Sequence, residues 1–237
     1  MVGGTADVPI CHIEWQNASR IVCSIYPPID LFEDIAAPED WPQLIAAEQK
    51  TNPRLMETIG NIDLVPAHRR VSGPGASYLM APFTHTSRDR PSRFSDGRLG
   101  VLYVAADFET AVHETAFHHA EFMRSTKQQS GWTSQFRELV LSVEAMLHDV
   151  REIGTEKSDI LHLQDYSISQ HFAAQLRAQS SEGLVYPSVR GEGDCVALFY
   201  PDLASDPMQG RHLNYHWDGH KVDLVRDIGT GDVFRLV

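Results

Sequence analysis

Val101-Leu102-Tyr103-Val104-Ala105, then Ala106-Asp107, then Phe108 to Met123: this stretch decides the fold class. Five successive apolar or aromatic residues predict a short buried strand. Asp107 stands where an N-cap belongs, its carboxylate placed to accept an unpaired N–H of a helix's first turn. Behind it Phe108, Ala111, Val112, Thr115, Ala116, His119, Phe122 and Met123 recur at helical spacing and form one mostly apolar face. Outward from this pair, Glu138 to Met146 reads as a strand, and residues 165–178 as an amphipathic helix through Ile168, Phe172, Ala173 and Leu176. Strand character returns at Gly183–Tyr186 and Cys195–Tyr200, while Asn214–Trp217 and Lys221–Val225 flank the hairpin signal Asp218-Gly219. Strands and helices follow one another without a regular βαβ rhythm. That order predicts an α+β fold built on a strongly bent or split central sheet.

Residues 1–64 read as an N-terminal extension, partly helical, ahead of a single domain over 65–237. Within the extension, Pro38-Glu39-Asp40-Trp41 leading into Leu44-Ile45-Ala46-Ala47 predicts a helix with acidic residues in its first turn. Hydrophobic residues at 42% and charged residues at 22% are the balance of a globular chain that buries a core. No apolar run approaches the ~18 residues of a membrane span. Met1–Cys11 also lacks the basic-then-apolar pattern of a signal peptide, so a cytoplasmic protein without a membrane partner is expected. Cys11, Cys23 and Cys195 are far apart with no CxxC spacing, which predicts reduced thiols rather than disulfides or a zinc site. The net charge of −12, from 20 basic and 32 acidic residues, argues against direct nucleic-acid binding. It leaves room for a few local arginines that hold an anion, and it complements a basic partner protein.

Several motifs invite chemistry they do not support. His113-Glu114 followed by His118 looks like a zinc-hydrolase signature, but that signature needs histidines four apart. At five apart they lie about 140° from each other around a helix, so no metal is expected. His212, His216 and His220 are spaced by four across a predicted hairpin, where such spacing does not gather ligands. Gly73-Pro74-Gly75-Ala76-Ser77 matches neither a P-loop nor a dinucleotide fingerprint and reads as a turn.

A different combination carries more. Arg93-Phe94-Ser95-Asp96-Gly97 precedes the strand that holds Tyr103, and Glu114 lies in the helix that follows. Arginine forks onto phosphate and keeps its charge, tyrosine offers a flat face to a nicotinamide or adenine ring, and glutamate steadies a developing positive charge on ribose. These are groups that glycosidic chemistry on NAD⁺ requires. Each also has a plainer reading: Arg93 as a solvated loop charge, Tyr103 as a core aromatic, Glu114 as one half of an ion pair.

Three segments together resemble the RES domain, named for its arginine, glutamate and serine. They are VPAHRRV (65–71) with GPGAS and MAPF (80–83); SRFSDGRLGVLYVAADFETAVHETAFH (92–118); and GLVYPSVR (183–190) running through GEGDCVALFYP to Pro201. The resemblance covers roughly residues 65–205. It places the family's first arginine on Arg70, with Arg69 as the neighbouring alternative, and its second on Arg93. Its tyrosine falls on Tyr103, its glutamate on Glu114 and its serine on Ser188.

The resemblance implies a fold similar to ADP-ribosyltransferase toxins and the role of a toxin in a toxin–antitoxin pair, with an Xre-type antitoxin as partner. It implies NAD⁺ as substrate, no metal, and cleavage of the nicotinamide–ribose bond. ADP-ribose would pass to a protein target, to water or to phosphate. In that scheme Glu114, Arg70, Tyr103 and Ser188 are catalytic, while Arg70, Arg93, Tyr103 and Ser188 bind NAD⁺. An RNA-cleaving toxin and a non-catalytic module that binds NAD⁺ or an antitoxin stand as alternatives.

Overall fold

The structure, a computed structural model, describes residues 8–24, 60–152 and 159–236, with residue 43 alone between the first two segments. The helix expected over residues 38–47 otherwise lies outside the described residues. Among the described residues the sheet contains β1 (Ile10–Cys23), β2 (Leu102–Ala105), β3 (Thr133–Asp149), β4 (Gly183–Pro187), β5 (Asp194–Leu198), β6 (Ala204–Trp217), β7 (Val222–Asp227) and β8 (Val233–Arg235). The α-helices described on it are α1 (Ala76–Thr84), α2 (Phe108–Arg124) and α3 (Ser167–Ala178).

The sheet is split, as the order of elements led us to expect, and β3 is where it divides. Along one edge β3 pairs antiparallel with β1, from Ile10↔His148 to Cys23↔Phe136. Its other edge is shared: Thr133 to Val143 pair with β6, and His148 and Asp149 pair in parallel with Leu184 and Val185 of β4. From β4 the chain of pairings runs through β5 to β2, and a single join, Ser19↔Ala105, returns it to β1. Five strands therefore close into a ring, and β6, β7 and β8 extend from it as an antiparallel wing.

Residues 10–23, which the sequence reading assigned to an extension, are thus woven into the centre of the fold. A β-bulge hides this strand. Trp15 faces Val143 and Ala18 faces Leu141, so two residues of β1 oppose one of β3, and Asn17 takes a positive φ of 73°. The extra residue reverses the alternation. Before it the odd residues Ile13 and Trp15 join the cluster around α1; after it Ala18 joins that cluster, while Ile21 and Cys23 face α2.

Alternation on the short strands sorts the rest of the core. Leu102, Val104, Val185, Val196 and Leu198 meet Leu141, Val143, Ala145 and Leu147 of β3 on one side, with Leu79, Met80 and Phe83 of α1. Leu184, Tyr186, Cys195 and Ala197 point the other way, onto Ala111, Val112, Ala116 and Ala120 of α2 and Phe172, Ala173 and Leu176 of α3. The GPGAS turn serves this packing. Gly75 takes the left-handed φ of 78° that precedes α1, and a Cβ there would run into Pro207 of β6. Among the described residues no helix is long and apolar enough to cross a membrane.

Because β1 supplies the whole partner of one β3 edge, a chain trimmed to residues 65–237 should not fold alone. Thermal unfolding followed by circular dichroism is expected to show no cooperative transition; a native-like one would refute the central role of β1.

Candidate active site

On the α2 side of the ring a cleft of about 280 Å³ opens between four strands, helix α2 and two loops. Ser19, Arg20 and Ile21 of β1 form one wall, and Pro91, Ser92 and Arg93 of the loop before β2 form another. Tyr103 and Ala105 of β2, with Tyr186 and Cys195 from β4 and β5, make the floor. Glu114, Thr115 and His118 project from α2, and Tyr166 stands just ahead of α3.

Glu114 is held by the turn that joins β4 to β5. Ser188 Oγ donates to Glu114 Oε1 at 2.6 Å, while it accepts the backbone N–H groups of Arg190 (3.1 Å) and Gly191 (2.9 Å). With both acceptor positions engaged, the hydroxyl proton is committed to the carboxylate. The turn itself is closed by Ser188 N–H donating to Gly193 O at 2.8 Å. It sits against the start of α2, where Asp107 accepts from Thr110 N–H at 2.8 Å and from Thr110 Oγ–H at 2.9 Å, the cap expected from the sequence. Gly193 permits this approach, because a Cβ there would collide with Thr110 Oγ1 and Asp107 Oδ2. Glu114 Oε2 remains open towards the cleft, 3.9 Å from Nε2 of His118 one helical turn on.

Two arginines face the cleft. Arg93, 8% exposed, donates to His162 O at 2.7 Å and stacks on the Tyr166 ring at 4.6 Å. Its loop is tied down by Ser169 Oγ–H donating to Arg93 O and by Gln170 donating to Ser92 O. Arg20 donates from Nη1 to Tyr103 O at 2.7 Å, and its Nε is buried without a hydrogen-bond partner. Burial pulls the Arg20 guanidinium down to about 10, still charged at neutral pH. Among the described residues neither arginine has a carboxylate partner.

Tyr103 lines the cleft and also anchors its loop. Its hydroxyl lies 2.8 Å from Ser92 Oγ and accepts Phe94 N–H at 2.9 Å, and its ring stacks near Phe94. Burial pushes its hydroxyl above the usual tyrosine range, as it does for Tyr186 and for the Cys195 thiol. A thiol so raised is no nucleophile.

Of the residues singled out in the sequence, the structure gathers Arg93, Tyr103 and Glu114 in the cleft and sets Ser188 directly behind Glu114. Arg70 is not among them. Its Nε donates to Val65 O at 3.0 Å and its Nη2 to Ile62 O at 3.4 Å, so it closes the short turn over residues 62–64. Arg69 is also elsewhere, stacked on Tyr200 and paired with Asp202 at 2.8 Å. The second arginine in the cleft, beside Arg93, is Arg20, which sequence reasoning missed along with Tyr166 and Tyr186. Arg20 lies on the bulged strand, far upstream of the segments that carry the resemblance, so no spacing could have pointed to it. α2 runs unbroken through His113 and His118, which leaves them on different faces.

The Gly193 contact yields a direct test. Gly193→Ala should push the 188–193 turn off α2 and cost about 1–3 kcal/mol, the range for forcing extra atoms into a packed site. Urea denaturation measures this; an unchanged midpoint would contradict the close approach.

The chain is similar to "Uncharacterized protein y4oC" of Sinorhizobium fredii (strain NBRC 101917 / NGR234), with 25% identity over 214 residues, covering 87% of this chain and 85% of that protein. Among solved structures it is similar to a chain of the M. tuberculosis MbcT–MbcA toxin–antitoxin complex, with a TM-score of 0.42 and 12% identity, covering 86% of this chain and 87% of that one. Residues 67–218 match the RES domain, and the chain belongs to the RES domain family.

Proposed function

We propose that this chain is the toxin of a toxin–antitoxin pair and that it binds NAD⁺ and cleaves the nicotinamide–ribose bond. One observation carries the reading: a single cleft contains the Ser188-oriented Glu114 carboxylate together with Arg20 and Arg93, two cations without carboxylate partners among the described residues. A buried cation left unpaired is costly, and a ligand phosphate supplies the missing charge. Guanidinium groups suit it because they fork onto phosphate oxygens.

In this scheme Arg20 and Arg93 hold the pyrophosphate, with Arg20 in the place the sequence reading gave to Arg70. Tyr103 and Tyr186 offer apolar faces to the nicotinamide. The C1′–N bond breaks with both electrons going to the ring nitrogen, so nicotinamide leaves neutral. Positive charge grows on the ribose, and Glu114 Oε2, the oxygen not taken by Ser188, is the group placed to stabilise it. Ser188 keeps that carboxylate in position. ADP-ribose passes to an acceptor, a protein target or else water or phosphate. The partner implied by the family resemblance is an Xre-type antitoxin, and a net charge of −12 favours a basic contact segment.

Protein freed of antitoxin should release nicotinamide from NAD⁺ and leave added RNA intact. Glu114→Gln should lower turnover by roughly 10²-fold or more while NAD⁺ affinity stays near that of wild type. Arg20→Ala should weaken NAD⁺ binding by roughly 10- to 100-fold, the loss of charge-assisted hydrogen bonds worth about 1.5–3 kcal/mol. Absence of nicotinamide release with water, phosphate and cell lysate all supplied would sink the reading.

A further inference from the structure

The cleft contains one proton-accepting side chain that the scheme above leaves idle. His118 follows Glu114 by four residues, so both project from the same face of α2. Its Nε2 stands 3.9 Å from Glu114 Oε2. That gap is too long for a hydrogen bond, yet one oxygen atom at about 2.8 Å from each would touch both. Glu114 Oε1 is already engaged by Ser188, so the open side of the carboxylate is the one that His118 shares. The imidazole is also more than half exposed, with a side-chain exposure of 56%, at the mouth of the cleft rather than its floor. A proton taken there passes readily to bulk water.

Resting on the NAD⁺ reading, we infer that His118 is a catalytic residue that accepts the proton of a water molecule held between its Nε2 and Glu114 Oε2. The water oxygen bonds to ribose C1′ as the C1′–N bond breaks. The electron pair of that bond leaves on nicotinamide, the water proton moves to His118 Nε2, and ADP-ribose is the product. The groups around the ring suit this task. Although its outer side is open, desolvation of the side that packs against the cleft holds the imidazole below its ordinary value, Glu114 on its own helix opposes that shift, and Arg190 of the 188–193 turn and Arg93 of the 91–93 loop reinforce it. His118 is therefore neutral, and able to accept a proton, at physiological pH.

The test compares wild type with His118→Gln, in water and with azide, an anion that attacks C1′ without a proton to lose. Wild type should form ADP-ribose. His118→Gln should keep NAD⁺ affinity and lose hydrolysis by roughly 10²-fold, the lower end of what general bases contribute. Azide should restore nicotinamide release in the variant and divert its product to the ADP-ribosyl azide. Wild-type hydrolysis should fall at acidic pH as the imidazole protonates, a limb that both His118→Gln and His118→Asn lack.

An unchanged division of product between water and azide in the variant would overturn the inference. So would equal loss with both nucleophiles, which would mark His118 as a support for Glu114 only. Wild type that releases nicotinamide with phosphate but not with water would overturn it too, while leaving NAD⁺ cleavage intact. Wild type inactive with every acceptor would instead be the failure of the NAD⁺ reading itself.

Discussion

The pairing of β1 with β3 is the constraint on which the rest of the molecule depends. β3 has one edge divided between β6 and β4, and a sheet divided in this way leaves a gap where its halves diverge. β1 covers the opposite edge and reaches β2 through Ser19↔Ala105, which closes the ring. The bulge at Gln16–Asn17 then does two things at once. It bends the strand so that it can serve two neighbours, and it turns Ile21 and Cys23 towards α2 rather than α1. The wall of the cleft formed by Ser19, Arg20 and Ile21 is a direct product of that one extra residue.

Rigidity around Glu114 comes from backbone groups more than from side-chain pairs. Ser188 is fixed by two N–H donors of its own turn, that turn is fixed by Gly193 lying against the capped end of α2, and Glu114 stands two turns along the same helix. Helix and turn therefore cannot shift independently without breaking the Asp107 cap or the Ser188 hydrogen bond. Arg190 extends the brace, stacking on Phe117 of α2 and donating to Leu163 O. A carboxylate positioned from behind in this way suits the proposed glycosidic chemistry, which needs a fixed negative charge at the place where positive charge appears.

Much of this was legible in the sequence where local signals and long-range packing agree. β2, the Asp107 cap, α2, α3 and the Asp218-Gly219 hairpin all carry their periodicity or turn chemistry in contiguous residues. Arg93, Tyr103 and Glu114 were found because they lie on one strand–helix unit. What stayed hidden has physical causes. The bulge breaks the alternation of β1, so Ile13, Ala18 and Ile21 do not read as one strand. α1 carries Pro82 inside its span, which masks a helix that its neighbours support. Arg70 lies within the family-like segment 65–71, yet it is spent on carbonyls of its own turn, and only three-dimensional closure brings Arg20 to the cleft.

The arginines also reconcile the acidic chain with an anionic ligand. A net charge of −12 sets up a field that repels phosphates at long range, but that field is screened over about 8 Å at physiological salt. Inside the cleft the local balance decides, and there Arg20 and Arg93 share the lining with one carboxylate, Glu114, whose Oε1 is engaged by Ser188. Burial already disfavours the charge on Arg20, and among the described residues Arg93 is compensated by a carbonyl and the Tyr166 ring. In the proposed function a ligand phosphate completes that compensation. The same placement keeps Glu114 from being neutralised by a direct ion pair with either arginine. In the proposed scheme it stays available for charge that develops on the ligand, which is the condition for stabilising a transition state more than a bound substrate.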